Sequence, residues 1–172
     1  MRERRSRPLD GLLLGGIAGI VGTMAMTTAM RAGFKLLPGA DQYPLPPREI
    51  TQRVLGRNAR AGVLPAVSLA GHFAYGALAA ALLAMSERRP GLLRGAIQGA
   101  AIWSTSYFGW VPGLNILRPA SDHPLPRNML MLGAHLIWGC ATVTSLNELE
   151  RACLTILADG PMRDVPKTFP RL

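Results

Sequence analysis

The sequence predicts an all-α, polytopic membrane fold: four transmembrane helices in two tandem, parallel helix hairpins, plus a short interfacial helix. Three observations predict it. First, nearly half the residues are hydrophobic and only 17% are charged, below the quarter usual for soluble domains. Second, four stretches, 11–30, 63–85, 95–117 and 129–147, contain no Asp, Glu, Lys or Arg. They run 20, 23, 23 and 19 residues, and about 20 residues cross a bilayer core. Third, the chain repeats itself. Gly11-Leu12-Leu13-Leu14-Gly15-Gly16-Ile17-Ala18-Gly19 returns as Gly91-Leu92-Leu93-Arg94-Gly95-Ala96-Ile97-Gln98-Gly99, with six of nine positions identical.

The same offset of eighty continues to Pro44-Leu45-Pro46 and Pro124-Leu125-Pro126, giving twelve identities between 11–47 and 91–127. That diagonal is too full to be an accident of a leucine- and glycine-rich composition, and a repeat sets the architecture. Beyond it the offset becomes 63, where His72-Phe73-Ala74-Tyr75-Gly76 faces His135-Leu136-Ile137-Trp138-Gly139. The expected organisation is one membrane domain over 1–172: repeat one at 11–85 with an insertion at 47–63, repeat two at 91–147, and a helical extension with a disordered tail at 148–172.

Each element has a local reason. Arg2, Arg4, Arg5 and Arg7 precede the first apolar run; a signal peptide is disfavoured by the run's length and its twin at 91. Gly11, Gly15, Gly19, Thr23 and Thr27 fall at every fourth residue, a stripe that lets helix backbones approach closely in lipid. Gly95, Gly99, Gly76 and Gly139 extend that packing set to the other spans. Pro44, Pro46 and Pro47 interrupt any helix there, and Pro47 is suited to open a new one. Ile50, Val54 and Leu55 share one side of that helix, which is expected to lie in the interface plane. Tyr107, Phe108 and Trp110 gather near the end of the third span, as in an interfacial belt. The fourth helix is expected to run to about Leu157, before Gly160-Pro161.

Charge sets the orientation and narrows the partners. With the N-terminus inside, eleven Lys and Arg lie on the inner side and eight on the outer, so the positive-inside rule places both termini in the cytoplasm. An even number of spans per copy makes the repeats parallel, unlike the inverted repeats of many transporters. The formal charge of +9 collects at the ends of the apolar stretches, where anionic headgroups would meet it. The expected partners are therefore the lipid bilayer and a membrane-protein partner or second copy, with no nucleic acid.

Chemistry has few places to sit. No span contains Asp or Glu, which argues against a carboxylate-driven transporter. There is no phosphate loop, nucleophile elbow or HExxH, and no enzyme is expected. Apart from Cys140, Tyr75 and Tyr107, the only ionisable side chains of the spans are His72 and His135, paired by the repeat. They are the candidate cofactor-binding residues, able to hold haem or a metal ion or to relay a proton. The plainer reading, with no cofactor, has each imidazole bonded to a hydroxyl such as Thr23, Thr27, Ser104, Ser106 or Tyr107. The Ser104-Thr105-Ser106 cluster raises a small-solute conduit as a further alternative. Cys140 and Cys153 have neither disulfide nor zinc spacing.

Gly15-x-x-x-Gly19 with Thr23, Pro46-Pro47-Arg48-Glu49-Ile50 and His72-Phe73-x-Tyr75-Gly76 have a familiar cast. With Ser106-Tyr107-x-Gly109-Trp110-x-Pro112 and His135-Leu136-x-Trp138-Gly139, the stretch Gly11–Leu146 resembles the YagU-like inner-membrane proteins of bacteria. The resemblance implies an all-helical fold in a bacterial inner membrane and assigns no activity or site residue. The function expected is that of an accessory, lipid-contacting or partner-binding membrane component.

Overall fold

The computed structural model describes residues 8–56, 62–86 and 90–158, and among them the chain is helical without a strand. Helix α1 (Pro8–Phe34) is followed by a single 3-10 turn at Gly39–Asp41 and by α2 (Pro46–Leu55). Helix α3 spans Leu64–Ala84. Helix α4 (Leu92–Thr105) passes through a π-helical turn, Ser106–Trp110, into the short α5 (Val111–Gly113). A second 3-10 turn at Ala120–Asp122 leads into α6 (Leu125–Leu154).

Three helices, α1, α3 and α6, are long and apolar enough to cross a membrane. At about 1.5 Å per residue, the 27 residues of α1 reach about 40 Å. The expected third span is not one straight helix. It bends at Gly109, whose φ and ψ of −108° and −106° leave the helical region, just before Pro112, which lacks an amide hydrogen to continue the ladder. A π-turn widens a helix where an extra residue must be accommodated. Tyr107, expected in an interfacial belt, is instead a core residue with Trp103 stacked on it, while Phe108 is exposed and Trp110 partly so.

Boundaries shift in two places. Helix α6 begins at Leu125 rather than near 129, with Pro126 in its first turn, where a missing amide hydrogen costs nothing. It ends at Leu154, short of Leu157, because the amides of Thr155 and Leu157 both turn back to the carbonyl of Ala152. Gly160-Pro161 and the expected tail lie outside the described residues, as does part of the 47–63 insertion.

Helix α1 packs against both α3 and α6, and α4 packs against α6. The seams are built on small residues. A methyl group added at Gly19 would run into the Gly76 carbonyl and Ala80, and one at Gly15 into Ala80 and Ala84. On the other seam Gly95 and Gly139 face one another, and Gly99 sits against the His135 carbonyl. Gly11 stands apart, with nothing near its missing side chain. Gly22, outside the stripe, is the close-approach position where α1 meets Thr142 and Trp138 of α6. Outside the bundle, Leu13, Ile17, Leu78, Leu82, Leu93 and Ile97 are exposed. An apolar surface that broad is compatible with a membrane protein.

Candidate functional site

No close seam joins α3 to α4, and a cavity of about 250 Å³ occupies the space between them. Gly22 admits α6 to α1, whereas Ile102, at the offset of eighty in the sequence, lines the cavity. The π-turn adds to the separation by presenting Ser106 and Tyr107 on the inner side. Pro46, Pro47, Ile50 and Thr51 of α2 form another wall. Helix α2 starts where the prolines require and carries Ile50 toward the bundle.

Both sequence-predicted histidines line this one cavity. His135 is buried, and its Nδ1–H donates to the Met131 carbonyl at 2.7 Å, one turn back on α6. The Nε2 atom of His72 is buried and makes no hydrogen bond. Neither ring bonds a hydroxyl of a neighbouring helix, and Thr23, Thr27 and Ser106 spend theirs elsewhere. Thr23 donates to the Gly19 carbonyl at 2.7 Å and accepts from Trp138 Nε1 at 3.2 Å. Thr27 donates to the Thr23 carbonyl, and Tyr75 and Ser106 pair with each other at 3.1 Å. Ser104 and Thr105 are exposed, and Thr105 bonds carbonyls of its own helix, so Ser106 alone of that cluster reaches the cavity.

The walls are chiefly carbon, and no Asp, Glu, Lys or Arg lines them. Among the described residues no group of three or more His, Cys, Asp or Glu side chains is placed to hold a metal ion. Two imidazoles fall short of the three protein ligands of a catalytic zinc. Cys140 lies away from the cavity, its thiol directed to the Leu92 carbonyl at 3.6 Å.

Arg127 anchors one end of the site, and sequence reasoning missed it. It is 1% exposed, at the start of α6. Its guanidinium donates to the carbonyls of Asp41, Tyr43 and Pro44, and one nitrogen lies 3.5 Å from Glu49 Oε2. It also sits over the Tyr43 ring, 3.6 Å from the centroid, a favourable cation–π position. A buried cation is tolerable only when its donors are so engaged. Tyr43 OH lies 2.9 Å from His123 Nδ1, and Asn128 Nδ2 donates to Ala120 O at 2.7 Å. Both proline loops are thus tied to α6, and α2 is held against the cavity.

Burial raises the Glu49 carboxyl above the ordinary carboxylate range, against the opposing pull of Arg127 and His123. Burial likewise raises the Tyr43 phenol. The repeat carried the available signal: the second loop has Arg127 where the first has Pro47, and Glu49 lies in the first loop only. The cation and its anion are divided between the halves.

Fold and site together define a helical bundle with outward apolar faces, three membrane-length helices and an uncharged internal cavity holding two imidazoles. Comparison with known family models, curated proteins and solved structures finds no match for this chain.

Proposed function

We propose that this chain is a multi-pass protein of a bacterial inner membrane that holds a small lipid-soluble molecule in the cavity between α3 and α4. In this reading it is a non-catalytic, lipid-contacting component. It crosses the bilayer four times, through α1, α3, the bent 92–113 segment and α6, with both termini cytoplasmic. Two fused copies of one helix hairpin make up the bundle, and the second copy has opened one of its seams. The likeness to YagU-like proteins supports the membrane assigned.

One observation carries the proposal: an uncharged, mostly carbon-lined cavity of about 250 Å³ brings together His72 and His135. Cavities that are largely apolar with a few convergent polar groups are the usual form of small-molecule sites. The bent segment supports the fourth crossing, since non-helical backbone at membrane depth is tolerated where it lines a cavity.

The test is purification in lipid nanodiscs, solvent extraction and mass spectrometry. About one lipid-soluble small molecule per chain is expected, depleted in Gly71→Phe, which adds bulk at a lining glycine that has free space beside it. Preparations carrying only bulk phospholipid would overturn the proposal. The meeting of both imidazoles in one cavity favours a second reading, haem or a metal ion on that pair, which predicts a Soret band or stoichiometric metal.

A further inference from the structure

We infer that the cavity takes a neutral, mostly apolar molecule bearing a hydroxyl that donates to His135 Nε2: an alcohol, phenol or quinol rather than the matching ether, ester or quinone. The inference rests on the cavity's being a ligand site, as proposed above, and specifies the ligand's chemistry.

Charge is excluded first. No charged side chain lines the cavity. The nearby guanidinium of Arg127 is already occupied by three carbonyls, the Tyr43 ring and Glu49. A charged ligand would be desolvated there without a counter-charge. The same reasoning keeps the His135 ring uncharged.

Hydrogen-bond sense comes next. A carbonyl only accepts, so the 2.7 Å contact with Met131 O places the ring hydrogen of His135 on Nδ1. In a neutral imidazole the other nitrogen is then an acceptor, and among the described residues nothing donates to it. The Trp138 N–H and the Thr23 hydroxyl are both committed. Tyr75 and Ser106 spend one of their two O–H hydrogens on each other, and that spare hydrogen, the Tyr107 O–H and the Trp110 N–H are the free wall donors, none of them bonded to His135.

A ligand that contributes only acceptors leaves His135 Nε2 unmet. A hydroxyl satisfies it and still presents its own oxygen to a spare wall donor, or to His72 in the tautomer that carries its hydrogen on the buried, unpartnered Nε2. Tyr107, Trp110 and Trp138 add aromatic walls, which favour a ring-bearing ligand.

The test uses a matched pair of probes, 4-tert-butylphenol and its methyl ether, on the full chain in detergent micelles. Binding is followed by tryptophan fluorescence and corrected for each probe's partition into the micelle. The phenol is expected to bind at least about ten-fold tighter, the scale of one hydrogen bond to a buried acceptor. In ¹⁵N-histidine spectra it should shift one Nε2 resonance that the ether leaves in place. In His135→Leu the phenol falls to the ether's affinity and the ether is unchanged. The comparison on the unmodified chain stands even where that variant does not fold. Equal binding of the two, or preference for the ether, overturns the hydroxyl assignment and leaves the cavity reading intact. If neither probe binds, both fall.

Discussion

Tyr43 and His123 lie eighty positions apart and touch, hydroxyl to Nδ1, at 2.9 Å. Eighty is also the spacing of the repeated sequence, so on that alignment the two residues are counterparts. In a two-fold arrangement of copies, only residues beside the axis can meet their own counterparts. On the proposed duplicated-hairpin reading, such a contact would fall beside that axis, in the loops next to Arg127.

Arg127→Met should destabilise the fold by about 3–5 kcal/mol, the range for breaking one side of a buried charged network. Three carbonyls and Glu49 lose their donor together. Arg127→Lys should restore only part of the loss, because an ammonium lacks the planar fork that reaches several acceptors at once. Unfolding in a denaturing-detergent titration measures both. A neutral effect of Arg127→Met would show that the loop contacts add nothing net.

Stability should fall as pH rises through the window that opens at the ordinary carboxylate pKa. Glu49 has a raised pKa in the fold, chiefly from burial. Between the unfolded and folded values the folded chain therefore binds more protons, and the slope of stability against pH is negative. Glu49→Gln removes that contribution. Thermal midpoints of both proteins across pH 4 to 7 (roughly the window for a raised carboxyl) check the sign, and a slope unchanged by the substitution would contradict it.

Gly99→Leu should cost about 1–3 kcal/mol or more through overpacking, since its side chain would enter the backbone of α6 at His135. Gly11→Ala is the control, because a methyl there meets nothing, and it should leave stability within about 0.5 kcal/mol. The pair separates glycines required by close helix approach from one that merely keeps register in the sequence.

Orientation can be read from the two native thiols. Cys153 is exposed near the end of α6, whereas Cys140 is partly buried in its middle. With the C-terminus cytoplasmic, a membrane-impermeant maleimide should label Cys153 in inside-out vesicles and not in right-side-out ones. Cys140 should stay unlabelled in both. Labelling of Cys153 from the outer side would reverse the assigned topology.

Much of this arrangement is legible from residue order. Apolar run length marks α1, α3 and α6, Pro46 and Pro47 mark the start of α2, and the offset of 63 pairs the two histidines. The bend in the 92–113 segment had weaker signs, Gly109 and Pro112, in a stretch whose hydropathy is continuous. Arg127 was the larger omission. Its partners are mostly backbone carbonyls more than eighty positions upstream, and a carbonyl has no side chain to mark it in a sequence. Tyr107 reads as an interfacial aromatic by position, but the π-turn rotates it inward.

The placement of that arginine also bears on how the polypeptide is made. Leu37 to Glu49 leaves the ribosome well before residue 127, so the first half emerges with its acceptor carbonyls unserved and Glu49 without a cation. Only once α6 has been made does the earlier loop acquire its fastener. A chain halted before residue 127 would therefore lack the contacts that hold α2 against the cavity.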